Sequence, residues 1–308
     1  WFRYHYLFQV LLQNQLGNAL ETGEIADLHN RASHWFAEKG LIDEAIQHAL
    51  AAGDAVSAAE FVERYRHAEH KAGRWRSVEK WLAMLPEEMK RERPGLLLAE
   101  AWVAFTHFQL EKIAALVEQA EALSDGQKAD SVIWGEVNYF HGQLRYWSGQ
   151  GEASVRYLEE ALTQVGGKEE HVESNIELML GLARHMIGQG ALAIQSLNKR
   201  IQGTNPSKIY LHTYLSATLA FIHLLSGELH QAFQETQRMQ TLAGKAINFN
   251  TEAWVAYFFA YVHLQNWDLV DAIHHFEFAA GQQYAMDTEA VIDAKAELAL
   301  TQQLLGRE

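Results

Sequence analysis

From residue 22 onward, apolar residues recur at spacings of three and four in segments roughly 13 to 20 residues long, the pattern of helices with one buried face. Glycine punctuates these segments. Gly40, Gly53, Gly73, Gly149, Gly188, Gly203, Gly227, Gly244 and Gly281 fall where one helix is expected to end or the next to begin. Pro94 and Pro206 fall where a first helical turn would tolerate proline. No alternating run flanked by turn residues predicts a strand, so the chain reads as all-α.

The helical segments repeat with a period of about 39 residues, longer than the roughly 34-residue tetratricopeptide unit. Small residues form one column at Ala104, Gly142, Gly181, Ala220 and Ala260, and a second at Ser154, Ala193, Ala232 and Ala272. Gly149, Gly188 and Gly227 register between them. Small side chains at both columns are what two helices of a hairpin need where they approach most closely. The order of small residue, turn glycine and second small residue resembles the tetratricopeptide repeat, each hairpin being stretched by about one helical turn. A less regular copy runs through Ser33, Gly40 and Ala45, and a degenerate one from Gly73 to Leu85. The expected architecture is a right-handed superhelix of tetratricopeptide-like hairpins with a concave inner wall.

Composition narrows the function. With 25 Lys+Arg against 39 Asp+Glu the formal net charge is −14, which disfavours contact with nucleic acid or an anionic membrane surface. There is no cysteine, hence no disulfide, thiolate metal site or thiol nucleophile. Hydrophobic residues make up 48% of the 308, enough for a large core, and no apolar run is long enough to span a bilayer. A cytoplasmic location is the default expectation. The chain opens at Trp1 within the aromatic run Trp1-Phe2-Arg3-Tyr4-His5-Tyr6-Leu7-Phe8, as expected of a segment of a longer protein.

That run, with Leu28-His29-Asn30-Arg31-Ala32-Ser33-His34-Trp35-Phe36 and Glu44-Ala45-Ile46-Gln47-His48-Ala49-Leu50-Ala51-Ala52-Gly53-Asp54, resembles the region following the ATPase module in MalT-like, LuxR-type transcriptional activators. Trp81-Leu82-Ala83-Met84-Leu85-Pro86 and Arg93-Pro94-Gly95-Leu96-Leu97-Leu98 continue the likeness, which covers roughly residues 1 to 105. The resemblance implies a nucleotide-binding ATPase, a winged-helix-like connector, a superhelical domain that receives a small-molecule inducer, and a C-terminal helix-turn-helix. Residues 1–21 would be the end of the connector and residues 22–308 the sensor. ATP would be bound by the absent ATPase module. Gly166-Gly167-Lys168-Glu169 lacks the first glycine and the hydroxyl residue of a phosphate loop, so no cofactor is expected in this segment.

Three residues after each small position of the first helix lies a column of His107, Arg145, Arg184, His223 and His263, and four before it lie Glu100, Asn138, Glu177, Ser216 and Ala256. These offsets share one helical face. Tyr139, Gln143, Tyr146, Trp147, Tyr214, Trp254, Tyr257 and Tyr261 adjoin it. One reading is a locally basic, aromatic-rimmed wall that holds an anionic or hydroxylated ligand through Arg145, Arg184, His223, His263 and Glu177. The other is that the cations bond carbonyls of adjacent repeats while the aromatics fill the core. A scaffold that holds a peptide or regulatory protein in the same groove, or self-association, is the alternative partner class. Glu63, His67 and His70 share a helix at metal-ligand spacing but lack a fourth ligand, and a solvated helix face accounts for them better. No nucleophile–base arrangement stands out, so catalysis is not expected.

Overall fold

The computed structural model describes residues 6–125, 130–244, 249–282 and 285–306. Residues 1–5 of the opening aromatic run lie outside the described residues. The rest is seventeen α-helices, with no strand among the described residues. They are α1 (Tyr6–Ala19), α2 (Thr22–Glu38), α3 (Ile42–Ala51), α4 (Ala55–Lys71), α5 (Trp75–Met84) and α6 (Glu87–Arg91). Then follow α7 (Pro94–Thr106), α8 (Leu110–Asp125), α9 (Ser131–Trp147), α10 (Gly151–Val165), α11 (Glu170–Met186) and α12 (Gly190–Gly203). The last are α13 (Ile209–Leu225), α14 (Leu229–Ala243), α15 (Phe249–Gln265), α16 (Leu269–Gly281) and α17 (Thr288–Leu304). Pro94 opens α7 as expected, whereas Pro206 lies in the loop ahead of α13, two residues short of the position that caps it. A capping box between Glu21 and Glu24 starts α2.

Helices pack on their neighbours in sequence and also on the helix two further along, heavily where α11 meets α13 and more lightly in α7 on α9, α9 on α11 and α13 on α15. The two small-residue columns lie at the pair contacts and are buried throughout: Ala104, Ala220 and Ala260 in one, Ser154, Ala193, Ala232 and Ala272 in the other. A β-carbon on Gly142 would stand 2.6 Å from Leu158 Cγ, and one on Gly181 would overlap Thr218. The backbones are therefore closer than alanine permits at these two crossings. The Ser154 hydroxyl donates to the Gly142 carbonyl at 2.7 Å, and the Ser33 hydroxyl donates to the Ala45 carbonyl at 2.7 Å across the α2–α3 pair. The irregular early copy thus uses the same crossing.

The turns share one backbone conformation. Gly149, Gly188 and Gly227 have φ of 74°, 78° and 72°, and the amides of the following residues reach back to the carbonyls of Arg145, Arg184 and His223 at 2.8 Å. This is the Schellman closure, which needs a left-handed residue. Phe108 (φ 54°) and Trp267 (φ 67°) take the same place in the α7–α8 and α15–α16 turns, so the column of glycines continues through two aromatic residues. Gly203, Gly244 and Gly281 do not use this freedom: each ends its helix without a positive φ.

Two kinds of glycine should respond differently to substitution. Gly181→Val overpacks the α11–α13 contact and is expected to cost about 1–3 kcal/mol in chemical denaturation. Gly188→Ala meets no atom and should cost about 1 kcal/mol through backbone strain alone. Gly188→Asn should lose less than the alanine variant, because asparagine tolerates the left-handed region.

Candidate functional site

The inward sides of α4, α7, α9, α11, α13, α15 and α17 enclose one cavity of about 1430 Å³. Its walls are mainly aromatic. Trp102 stacks on Tyr139, centroids 4.9 Å apart and planes 13° from parallel, and packs against His171 at 4.6 Å. Further along, Trp254 and Tyr257 meet edge to face at 5.4 Å, and Tyr257 and Tyr261 at 5.0 Å. Both tyrosine hydroxyls donate to the Asp293 carboxylate, Tyr257 at 2.6 Å.

A buried ion pair fixes the start of this wall. Arg66 on α4 grips Glu136 on α9 through two parallel hydrogen bonds, one of 2.7 Å, and Trp102 on the intervening α7 donates its indole N–H to the same carboxylate at 2.6 Å. All three side chains are almost wholly buried. His67 and His70 are buried too, and His70 stacks on His171 of α11 at 5.3 Å. The expected solvated helix face is corrected on this point. Glu63 instead pairs with Arg93 at 2.6 Å, so the three residues do not converge. Burial drives His70 down to about 3 and holds His67 and His171 well below the ordinary imidazole range, which leaves all of them neutral at pH 7.

From His171 a chain of polar contacts crosses the cavity wall. His171 Nδ1 lies 3.0 Å from the Tyr210 hydroxyl, which lies 3.1 Å from that of Tyr214. Burial pushes Tyr214 up to about 12 and holds Tyr139 and Tyr210 well above the usual phenol range. Three lining residues keep a buried polar atom without a partner: Gln143 Oε1, His70 Nε2 and His171 Nε2. Such atoms are costly to bury unless something else satisfies them.

Of the residues picked out by sequence, Tyr139, Gln143, Tyr146, Trp147, Tyr214, Trp254, Tyr257 and Tyr261 line this cavity together. Arg145, Arg184, His223, His263 and Glu177 do not. The cations occupy the last turn of their helices, where the macrodipole favours positive charge. Three of them turn to the residue that begins the partner helix: Arg145 to Gln150 at 3.2 Å, His223 to Glu228 at 2.5 Å, and His263 to within 3.6 Å of Asp268. Arg184 reaches Glu159 at 2.8 Å, and His107 reaches Glu79 at 3.3 Å. The column therefore ties hairpins shut or braces neighbours: Arg145, Arg184, His223 and His107 each have a hydrogen-bond partner, while His263 Nδ1 lies near Asp268 without one. Glu177 is buried beside Arg200, 3.2 Å away, and burial raises its pKa.

The locally basic groove is likewise corrected. Lys71 and Arg74 are the lysine and arginine of the lining, and four carboxylates, Glu170, Asp287, Glu289 and Asp293, stand against them. Asp287 caps α17 in position but forms no cap hydrogen bond. Burial raises Asp287 to about 7, and burial together with Asp287 and Asp293 raises Glu289 to about 7. Sequence reasoning missed Trp102, His171, Tyr210 and these carboxylates. One signal was present: His171 and Tyr210 are a repeat length apart, each ten residues before a small position.

No protein-family model matches the chain. Over 162 residues it is 30% identical to the HTH-type transcriptional regulator MalT of Cronobacter sakazakii, an alignment covering 53% of this chain and 18% of that protein. Over 102 residues it is 38% identical to the serine/threonine-protein kinase PknK of Mycobacterium tuberculosis, covering 33% of this chain and 9% of the kinase. The PknK protein of Mycobacterium bovis aligns to the same extent. The protein is thus an all-helical chain built around an aromatic cavity. It is a partial homologue of a MalT regulator and of PknK kinases, and spans only 18% and 9% of their lengths.

Two consequences can be measured. Glu136→Gln leaves Arg66 buried without its counter-charge and should cost about 3–5 kcal/mol, seen as a lower denaturation midpoint. The folded Asp287 and Glu289 carboxyls keep protons that unfolded ones release from about pH 4 upward, so their stabilising contribution is complete in acid and is lost as pH rises through about 7. The double variant Asp287→Asn, Glu289→Gln should therefore gain in melting temperature over the parent as pH goes from about 5.5 to 8, by roughly 2–4 °C for each kcal/mol relieved. The buried histidines titrate alike in both proteins and cancel. A difference that stays flat across this window would contradict the assignment.

Proposed function

We propose that this chain is the inducer-sensing segment of a MalT-like, LuxR-family transcriptional regulator, in which residues 22–308 form a right-handed, tetratricopeptide-like superhelix and residues 1–21 end a winged-helix-like connector. The cavity carries this reading: about 1430 Å³ of largely aromatic space, with unpartnered polar atoms of Gln143, His70 and His171. The partial identity to MalT supports it from the sequence side. The segment performs no chemistry. A ligand that fits one relative arrangement of the hairpins better than another shifts their population, and the shift passes to an ATPase module that binds ATP and to a DNA-binding module, both outside this chain. The segment itself contacts neither nucleic acid nor membrane and acts in the cytoplasm.

A second reading is favoured by size. The cavity exceeds the roughly 300–1,000 Å³ of most small-ligand pockets, so an extended peptide or a regulatory protein's tail is the alternative occupant. Similarity to a kinase as well as a regulator fits a module that joins different effector domains.

A thermal-shift screen of sugars, small acids, amines and short peptides decides between them, since a ligand of the folded state raises the melting temperature. A small molecule should raise it by several degrees in the parent, and by much less in Trp254→Ala and Gln143→Leu. Arg145→Ala and Arg184→Ala should retain the full response. Stabilisation by peptides alone would overturn the small-molecule reading, and loss of response in the arginine variants would overturn the cavity as its site.

A further inference from the structure

The ligand's chemical class can be taken further, on the footing that the cavity holds a small molecule. Both cations of the lining are already engaged: Lys71 by Glu170, and Arg74 by Glu69. Asp287, Glu289 and Asp293 meet no cation among the described residues, although Glu289 and Asp293 lie four apart on one face of α17, where like charges repel. We infer that the cavity takes an organic cation, its amine, amidine or quaternary ammonium group seated against Asp287, Glu289 and Asp293 and its carbon skeleton against the aromatic wall.

Three observations converge on it. The rings of Trp254, Tyr257 and Tyr261 stand at steep angles to one another beside Asp293, an arrangement that offers π faces to a positive group. Asp287 sits at the N-cap of α17 but leaves the cap unmade, which frees its carboxylate for another partner. Finally, Gln143 is fully buried in the same lining with its amide nitrogen turned to Tyr139, so its unpartnered atom is an acceptor oxygen suited to an N–H donor. The high proton affinity of Asp287 and Glu289 is what uncompensated carboxyls show, and a bound cation would relieve it. An anion would face three carboxylates with no free cation to offset them.

The test is a charge series. On each of an indole, a phenyl and a saturated ring, the alkylamine, the matching alcohol and the matching carboxylate are compared by thermal shift and calorimetry. At least one amine is expected to bind while its alcohol and carboxylate bind about tenfold more weakly or not at all. The Asp287→Asn, Glu289→Gln protein, expected above to fold at least as stably, should lose about tenfold or more in amine affinity. If alcohols or carboxylates bind as well as amines, or the double variant binds the amine unchanged, the inference is wrong while small-molecule sensing stands. If no amine binds but a sugar from the screen does, the inference again fails alone. If only peptides bind, the underlying reading fails with it.

Discussion

Two helices can approach only as closely as the side chains between them allow, and the molecule is organised by where that limit is removed. At Gly142 a methyl group would collide with Leu158 of the partner helix and at Gly181 with Thr218 of the next hairpin, and alanines hold the equivalent places further on. Helices α7, α9, α11, α13, α15 and α17 each turn a side toward one space. The aromatic cavity follows from this. Trp102, Tyr139, Tyr214 and Tyr257 come from four different hairpins and face one space only because each backbone is seated to the same depth.

Charge is arranged on two levels. At some turns a basic side chain in the closing turn of one helix meets the residue that opens the next, as Arg145 meets Gln150. Such pairs are satisfied locally and project little field. The interior is the reverse. Arg66 and Glu136 neutralise each other behind Trp102, whereas Asp287, Glu289 and Asp293 of the lining face no cation among the described residues. The overall charge of −14 conceals this division, since a chain of that composition could equally have kept its acids outside.

Helix content and both columns of small residues were legible in sequence, because close approach leaves a chemical trace: at Gly142 and Gly181 nothing larger fits. Part of the aromatic lining was legible for a related reason, since Tyr139 and Tyr257 adjoin those columns. The fate of the cations was not. His107, Arg145 and Arg184 look like a stripe when repeats are compared with one another, but Arg145 turns to Gln150 of its own hairpin while His107 and Arg184 reach back to Glu79 and Glu159 on preceding helices. For Arg145 and His223 the partner five residues on, Gln150 or Glu228, was visible in sequence. Less could be read before residue 94, where short helices such as Glu87–Arg91 break the period. The acids of α17 were hidden because a carboxylate opening a helix normally signals a cap, and nothing in sequence shows that Asp287 forgoes it.

The cavity draws on helices from α4 to α17, which bears on how such a chain can change in length. An open array of hairpins tolerates gain or loss of a unit, because each unit touches only its neighbours. Here Trp75 and Asp293, 218 positions apart, border the same space. An added hairpin would part those walls and a deleted one would bring them into collision. A change in copy number would therefore alter the cavity itself and not only the length of the array.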